Sequence, residues 1–478
     1  MPGPSTDRRS FLKLGVASWG GVLAAQERPL SATFRPKPPA KPNIVLICAD
    51  DLGSGDLGCY GSNLPTPNID ALASQGVTFR QFSSANAVCS PARAALLTGR
   101  YPTRVGVPDV LQPTDTGGLD LSAATMADVL KGAGYSTMCV GKWHLGCPLQ
   151  YMPTNRGFDQ FYGLPYSNDM APLPLIQNTT VIQEPAVLNT LTQQYTQQAV
   201  SFISSSKGSP FFLYMPHTFP HIPLAASSQF VGQTGFGLYG DTVAEIDWSV
   251  GQVLSALHEN GLDDNTLVMF TSDHGPWYEG SNRGLHGRKG ESWEGGFRVP
   301  FLARFPGQIP AGQVSTSFAT SMDVLPTVAR LAGATLPSTP LDGHDIWPLF
   351  TGTKGSQPQA ITRNPFLYFD SWNLQCARMG PWKLHLTRYN TPPWIPLPAN
   401  WRVNLPLADP ELYNLEDDPS ETCDVASYHP DIVASITARV LALVPTFPAT
   451  VQSVWASTMA IAPCYCTSGG WPSAPTSG

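Results

Sequence analysis

The run Asn43-Ile-Val-Leu-Ile-Cys48 constrains the fold more than any other stretch of this chain. A short, continuous apolar segment without polar alternation suits a strand buried on both faces of a parallel sheet, not one with a wet side. Similar runs recur at 211–215 and 266–271, and helical patterns occupy 126–131, 190–203 and 242–257. Strands alternating with helices predict a parallel α/β sheet covered on both faces, whose ligand sites gather at the carboxyl ends of the strands. Asp50, Asp51 and Asp273 fall at such ends. From about residue 356 the texture changes to short strand-like pieces at 366–369 and 382–386, Pro-rich loops such as 391–398, and one late helix at 431–443. This predicts a smaller C-terminal α+β domain over 356–478, after a catalytic domain over 41–355.

With 478 residues, 42% hydrophobic and only 13% charged, the chain can build a large core, which excludes a disordered chain, a coiled coil or a collagen. A net charge of −7 without any Lys/Arg run leaves no electrostatic footprint for nucleic acid. Near the start, Arg8-Arg9 with Phe11, Leu12 and Lys13 precede an uncharged apolar run to Ala25. This reads as a twin-arginine signal over 1–25, with cleavage near Ala24 or Ala25 and a Pro-rich leader over 26–40. It implies the twin-arginine translocon as a partner and a periplasmic or secreted protein. No other apolar run approaches the roughly 20 residues of a membrane span, so no stable membrane insertion is expected. Of nine cysteines, Cys464 and Cys466 in the tail are the candidates for a bridge, whereas Cys48 and Cys139 in apolar strands read as packing thiols.

Adjacent acids at one strand end, with a third at another, would repel unless a divalent cation joined them. Oxygen donors favour Ca²⁺ or Mg²⁺. Asp50-Asp51 alone would equally suit a solvated strand end. In Cys89-Ser90-Pro91-Ala92-Arg93, Pro91 belongs in a first helical turn and places Cys89 just before the helix, where free N–H groups favour negative charge. A nucleophile against an anion site and an ordinary helix start with a buried thiol both fit that spacing.

The Cys-x-Pro-x-Arg segment followed by Leu97-Thr98-Gly99-Arg100 resembles the signature of the type I sulfatases. Asp50-Asp51, Gly141-Lys142-Trp143-His144-Leu145-Gly146, Pro165-Tyr166-Ser167, His221-Ile222-Pro223, Ser272-Asp273-His274-Gly275 and Lys289-Gly290 are similar to the family's motifs in the family's order. The resemblance spans roughly residues 40 to 450 and is strongest to the arylsulfatase A group. It implies an alkaline phosphatase-like fold: a large mixed, mostly parallel sheet sandwiched by helices, and a smaller C-terminal domain with an antiparallel sheet. It further implies that a maturation enzyme oxidises Cys89 to formylglycine, whose hydrate attacks the sulfur of a sulfate monoester and later expels inorganic sulfate. Ca²⁺, in preference to Mg²⁺, would be held by Asp50, Asp51, position 89, Asp273 and His274, the last being a less natural ligand for a hard cation. Arg93 would hold the formylglycine hydroxyl, His144 act as base, and His221 protonate the leaving alcohol. Lys142 and Lys289 would neutralise the sulfate oxygens, with Ser167 beside them.

Two other functions share these residues. A formylglycine-dependent phosphodiester or phosphonate ester hydrolase would need the same tetrahedral site, and a non-catalytic relative binding sulfated glycans would keep Cys89 as a thiol. The alcohol itself, whether aryl, sulfated carbohydrate or glycolipid, is set by loops without a readable motif. His217, four residues before His221, is the alternative for the acid role, His221 being preferred because His-x-Pro is the family's pattern. His258, His286, His344, His385 and His429 read as packing or surface residues, and Asn178-Thr179-Thr180 is a glycosylation sequon by pattern only.

Overall fold

β1 (Asn43–Ala49) is buried along its whole length, and its side chains divide between two cores. Ile44, Leu46 and Cys48 enter the core on one side of the sheet. Val45, Ile47 and Ala49 enter the core on the other. Burial on both sides is the reason the run carries no polar alternation. In this computed structural model, which describes residues 41–352, 364–398 and 401–461, β1 pairs in parallel with β7 (Phe211–Pro216) and β8 (Thr266–Ser272).

The sheet has ten strands. Beyond β7 lie β3 (Ser136–Lys142) and β4 (Gln160–Leu164), both parallel, then the antiparallel β5 (Leu175–Gln177) and β6 (Thr180–Gln183). Beyond β8 lie the antiparallel β9 (Phe301–Arg304), then β2 (Val77–Ser83) with its parallel neighbour β10 (Gln313–Thr320). The sheet is mixed and mostly parallel, as the resemblance implies.

Helices cover both faces. α2 (Cys89–Thr98), α3 (Met126–Gly132), α7 (Val324–Ala332) and α8 (Trp347–Phe350) pack on the Leu46 side. α1 (Pro67–Ser74), α4 (Leu191–Ser205) and α5 (Gly237–Glu259) pack on the Val45 side. α5 begins earlier than its apolar periodicity indicates, because Gly237 and Gly240 dilute the pattern in its first turns.

A second sheet, antiparallel, runs in the order β11 (Phe366–Asp370), β12 (Asn373–Met379), β13 (Trp382–Tyr389) and β14 (Asn404–Asn414). Two helices, α9 (Pro430–Leu443) and α10 (Ala449–Met459), pack beneath it. β14 escapes a reading from sequence because it contains two prolines and two acids. Its place in the ladder comes from pairing with β13, not from its own propensity.

This small sheet shares a core with the segment that carries Cys89: Ala85, Ala87, Ala95 and Phe297 pack with Tyr368, Leu384, Ile436 and Val451. Beside that core runs a buried ionic seam. Glu294, in the single turn α6 (Glu294–Phe297), meets Arg298 at 2.6 Å and Lys383 at 3.2 Å. Lys383 meets Glu421 at 2.9 Å, and His385 meets Glu421 at 2.8 Å. Burial opposes the charge on Glu294, yet Lys383 and Arg298 hold it well below the usual carboxylate range. Breaking one partner of such a seam would strand a buried charge.

The expected signal and leader, the expected boundary at 355/356, and Cys464 and Cys466 lie outside the described residues. Among those described, no helix is long and apolar enough to cross a membrane, and the seven cysteines are free thiols.

His217 is fully buried with no partner on either ring nitrogen among the described residues, and burial lowers it to about 4. Burial outweighs the Glu421 bond at His385 and lowers it to about 4 as well. Both histidines are protonated in the unfolded chain below about 6.5 but stay neutral in the fold down to about 4. The unfolded state therefore binds more protons in that window, and stability should fall as the pH is lowered through it, by about 1.4 kcal/mol per unit for each group. Urea unfolding at several pH values measures this slope, and His217→Leu should reduce it by about one proton's worth.

Candidate active site

Five chain segments meet at the carboxyl edge of the large sheet. β1 delivers Asp50 and Asp51, β8 delivers Asp273 and His274, β3 ends in Lys142, and the loop after β7 carries His221. The fifth is the loop from β2 into α2, which carries Cys89. Backbone hydrogen bonds hold the segments in register: Asp50 N–H donates to Phe219, Asp273 N–H to Ala49, and Gly290 N–H to Ala87.

Cys89 is the first residue of α2, one place further in than its spacing from Pro91 indicates. Val88 precedes it in extended conformation, and no side chain caps the first turn of the helix. Cys89 is 2% exposed. Its Sγ lies 3.3 Å from His274 Nε2 and 3.6 Å from Asp50 Oδ1. Burial alone would raise this thiol, but Lys142 and Lys289 outweigh it and lower it to about 6. Among the cysteines, Cys48, Cys139 and Cys376 are instead pushed up by burial, which leaves them unreactive.

Each carboxylate has a cation. Lys142 Nζ lies 2.5 Å from Asp50 Oδ2, with neither side chain exposed. Lys289 Nζ lies 2.8 Å from Asp51. Arg93 bonds Asp273 through Nε and one terminal nitrogen, at 3.1 and 2.8 Å, and donates to the Lys142 carbonyl. Burial opposes charge on Asp50, yet Lys142 and Arg93 hold it well below the usual range; Lys289 and His221 likewise outweigh burial and lower Asp51. Asp51 and His144 both occupy the left-handed region, with φ of 64° and 60°. Such backbone strain costs of order 1–3 kcal/mol and persists only where surrounding contacts impose it.

The motif around Lys142 shows why glycine precedes it. Gly141 has φ of 131°, and a Cβ there would come within 1.8 Å of the Pro216 carbonyl, so any side chain would force β3 from β7. His144 Nε2 lies 2.9 Å from the Leu111 carbonyl, which can only accept, so Nε2 carries the proton and Nδ1 presents a lone pair. That Nδ1 has no partner among the described residues, and burial with Lys142 and Arg93 nearby keeps the ring neutral. His221 Nε2 stands 3.8 Å from Asp51, while Nδ1 faces the Ile222 carbonyl. Ser167 Oγ accepts from Lys142 Nζ at 3.1 Å.

Ligand atoms of Asp50, Asp51, Cys89 and His274 all lie within 4.8 Å of one another, a possible metal centre. Buried carboxylate oxygens suit a hard divalent cation, and position 89 would fit that set better carrying oxygen than sulfur. His274, the least natural donor, belongs to this cluster. Asp273 stands beside it, its Oδ1 3.7 Å from His274 Nε2 and its other oxygen on Arg93. Arg93 directs its donors to Asp273, Asp50 and the Lys142 carbonyl, and none to Cys89.

Several contributors have no motif. The Leu111 carbonyl sets the His144 tautomer, and Asn168 Nδ2 donates to the carbonyls of His221 and Pro223. Only its place beside Ser167 could have pointed to Asn168. Trp277 lies 5.9 Å from Lys289 Nζ and packs edge-on against Tyr278 and Trp394, with centroids 5.0 and 5.4 Å away. Trp394 comes from the 391–398 loop, far away in sequence.

A buried group of carboxylates, lysines and one acidified cysteine, at the carboxyl edge of a mixed α/β sheet, defines a hydrolase-type centre for an anionic ester. The Sulfatase family profile matches residues 42–334. The chain is 37% identical to human arylsulfatase A over 440 residues, covering 83% of this chain and 86% of that protein. It is 41% identical to rat N-acetylgalactosamine-6-sulfatase over 413 residues, covering 79% and 76%. A structure of Ps i-CgsB in complex with k-i-k-neocarrahexaose superimposes with a TM-score of 0.73 at 30% identity, covering 88% of this chain and 98% of that one. The chain belongs to the sulfatase family and is a sulfuric ester hydrolase.

Asp51 is the test of the metal centre. Asp51→Asn should weaken divalent cation binding at least about tenfold in a calorimetric titration, because it removes one anionic oxygen donor.

Proposed function

We propose that this sulfatase hydrolyses sulfate monoesters with formylglycine, formed from Cys89, as the source of its nucleophile. One observation carries the reading: Cys89 stands at an uncapped helix N-terminus, 3.6 Å from Asp50, where two lysines outweigh burial and acidify it. Formylglycine would supply a hydrated aldehyde hydroxyl, and Ca²⁺ held by Asp50, Asp51, Asp273, His274 and position 89 would supply positive charge facing the sulfate oxygens. Ca²⁺ is preferred to Mg²⁺ because a crowded, irregular donor set suits the larger ion.

The protein's own groups complete the chemistry. Lys142 and Lys289 oppose the sulfate charge, and Ser167 orients Lys142 through its hydroxyl. Arg93 positions Asp273 and Asp50. His144 takes a proton at its bare Nδ1. His221 holds Nδ1 against Ile222, leaving Nε2 to protonate the leaving alcohol. We further infer that the alcohol belongs to a sulfated carbohydrate. The Trp277, Tyr278 and Trp394 rings beside Lys289 offer apolar faces to a pyranose, and a relative has been solved with an oligosaccharide.

Mass spectrometry of the tryptic peptide 81–93 from natively matured protein should show an aldehyde in place of the Cys89 thiol. Cys89→Ala should abolish turnover with an unchanged melting temperature; retained turnover would refute the assignment. His221→Ala should cost about 10²–10⁴-fold on sulfates of poor leaving groups and far less on nitrophenyl sulfate. Equal losses on both would remove His221 from the acid role. In the same panel a sulfated sugar should show higher kcat/KM than steryl sulfate, and the reverse order would exclude a carbohydrate alcohol.

A further inference from the structure

Three arginines share one cleft outside the catalytic site. Arg80 from β2, Arg283 from the loop after β8 and Arg298 after α6 line a cavity of about 150 Å³, together with Ser54 and Tyr60. No acidic side chain lines it, although the chain as a whole carries a net charge of −7.

Their charges are unevenly compensated. Arg298 is paired with Glu294 at 2.6 Å. Arg80 and Arg283 meet no carboxylate and donate no side-chain hydrogen bond among the described residues. Both instead lie over the same ring, that of Tyr60, at 5.2 and 5.6 Å. Cation–π contact uses the guanidinium as a whole and leaves N–H edges free to donate. Ser54, only 4% exposed, has a hydroxyl that bonds no described residue.

The cleft is also rigidly built. Tyr60 is anchored by its hydroxyl, which donates to the Phe79 carbonyl at 2.7 Å. Gly55 N–H donates to the Ser281 carbonyl at 3.0 Å, and Ser281 N–H bonds the Asp56 carboxylate. A Cβ at Gly55 would fall 2.3 Å from Ser281 Oγ and 2.8 Å from Arg283 Cγ, so the two loops interlock. Arg283 itself is held in the left-handed region, with φ of 58°. Uncompensated arginines are thus held together by contacts that do not use their donors. Guanidinium forks match the paired oxygens of sulfate and phosphate. The cavity is large enough to hold a tetrahedral oxyanion.

We propose that this cleft is a second oxyanion site, binding a sulfate or phosphate group through Arg80, Arg283 and Arg298 with Ser54 as an added donor. The group is either free in solution or a second sulfate carried on a multiply sulfated sugar. The inference holds whatever chemistry occurs at Cys89.

Sodium selenate soaked into crystals locates the anion by its anomalous signal, and calorimetry at fixed ionic strength measures it. A peak among the three arginines is expected in the unsubstituted protein. In R80Q/R283Q, which spares the Arg298–Glu294 pair, that peak should vanish and the matching calorimetric affinity should fall at least tenfold. A melting temperature shows that the variant is folded, and Arg283→Lys, which keeps charge without the fork, should weaken binding less than Arg283→Gln. If selenate alone leaves the cleft empty, a disulfated disaccharide that binds R80Q/R283Q at least fivefold more weakly, while a monosulfated one is unaffected, assigns the site to a substrate-borne sulfate. Unchanged binding of both selenate and the disulfated sugar in R80Q/R283Q overturns the proposal.

Discussion

Three buried carboxylates converge at the carboxyl edge of the large sheet, and the electrostatics of keeping Asp50, Asp51 and Asp273 ionised there sets the terms for everything around them. Desolvation would neutralise them singly, and mutual repulsion would do so together. Lys142, Lys289 and Arg93 answer this by direct contact. Two of these cations, Lys142 and Lys289, also acidify Cys89, so the compensation that keeps Asp50 and Asp51 charged also tunes the sulfur beside them. Structural and chemical demands are met here by one set of ion pairs.

The small antiparallel sheet takes part in this arrangement. Its core includes Ala85, Ala87 and Ala95 from the segment around Cys89, and its ionic seam holds Glu294 in the segment that begins at Lys289. Two of the loops that form the site are therefore packed from behind by residues much further along the chain, 89 positions on in the case of Glu294 and Lys383. The loop bearing Trp394 reaches the same neighbourhood and meets Trp277 and Tyr278. Supports for the site and its rim both come from this sheet and its loops, which gives the C-terminal region a bearing on what the centre can accept.

Local patterns made the central architecture legible. β1, β7 and β8 declare themselves because two-sided burial demands uninterrupted apolar runs, and α4 because its apolar positions recur at helical spacing. β14 and α10 were not legible: their stability comes from partners in β13 and the third core, which leave a weak local mark. The site divides along the same line. Cys89, Lys142, His144, His221 and Lys289 stand in short motifs whose resemblance to a family is strong. The Leu111 carbonyl acts through a position that any sequence could supply, since a backbone carbonyl has no sequence signature.

By itself, the sequence determined the parallel α/β class, the family and the residue types at the centre, because buried strands and reactive side chains both require particular chemistry at particular spacings. Tertiary structure alone decided the pairing of those residues. It set Arg93 on Asp273 and Lys289 on Asp51, fixed the lone pair on His144 Nδ1, and gathered Arg80, Arg283 and Arg298 into one cleft. Coulombic and hydrogen-bond energies depend on distances of a few ångströms between groups remote in sequence, and only the folded chain sets those distances.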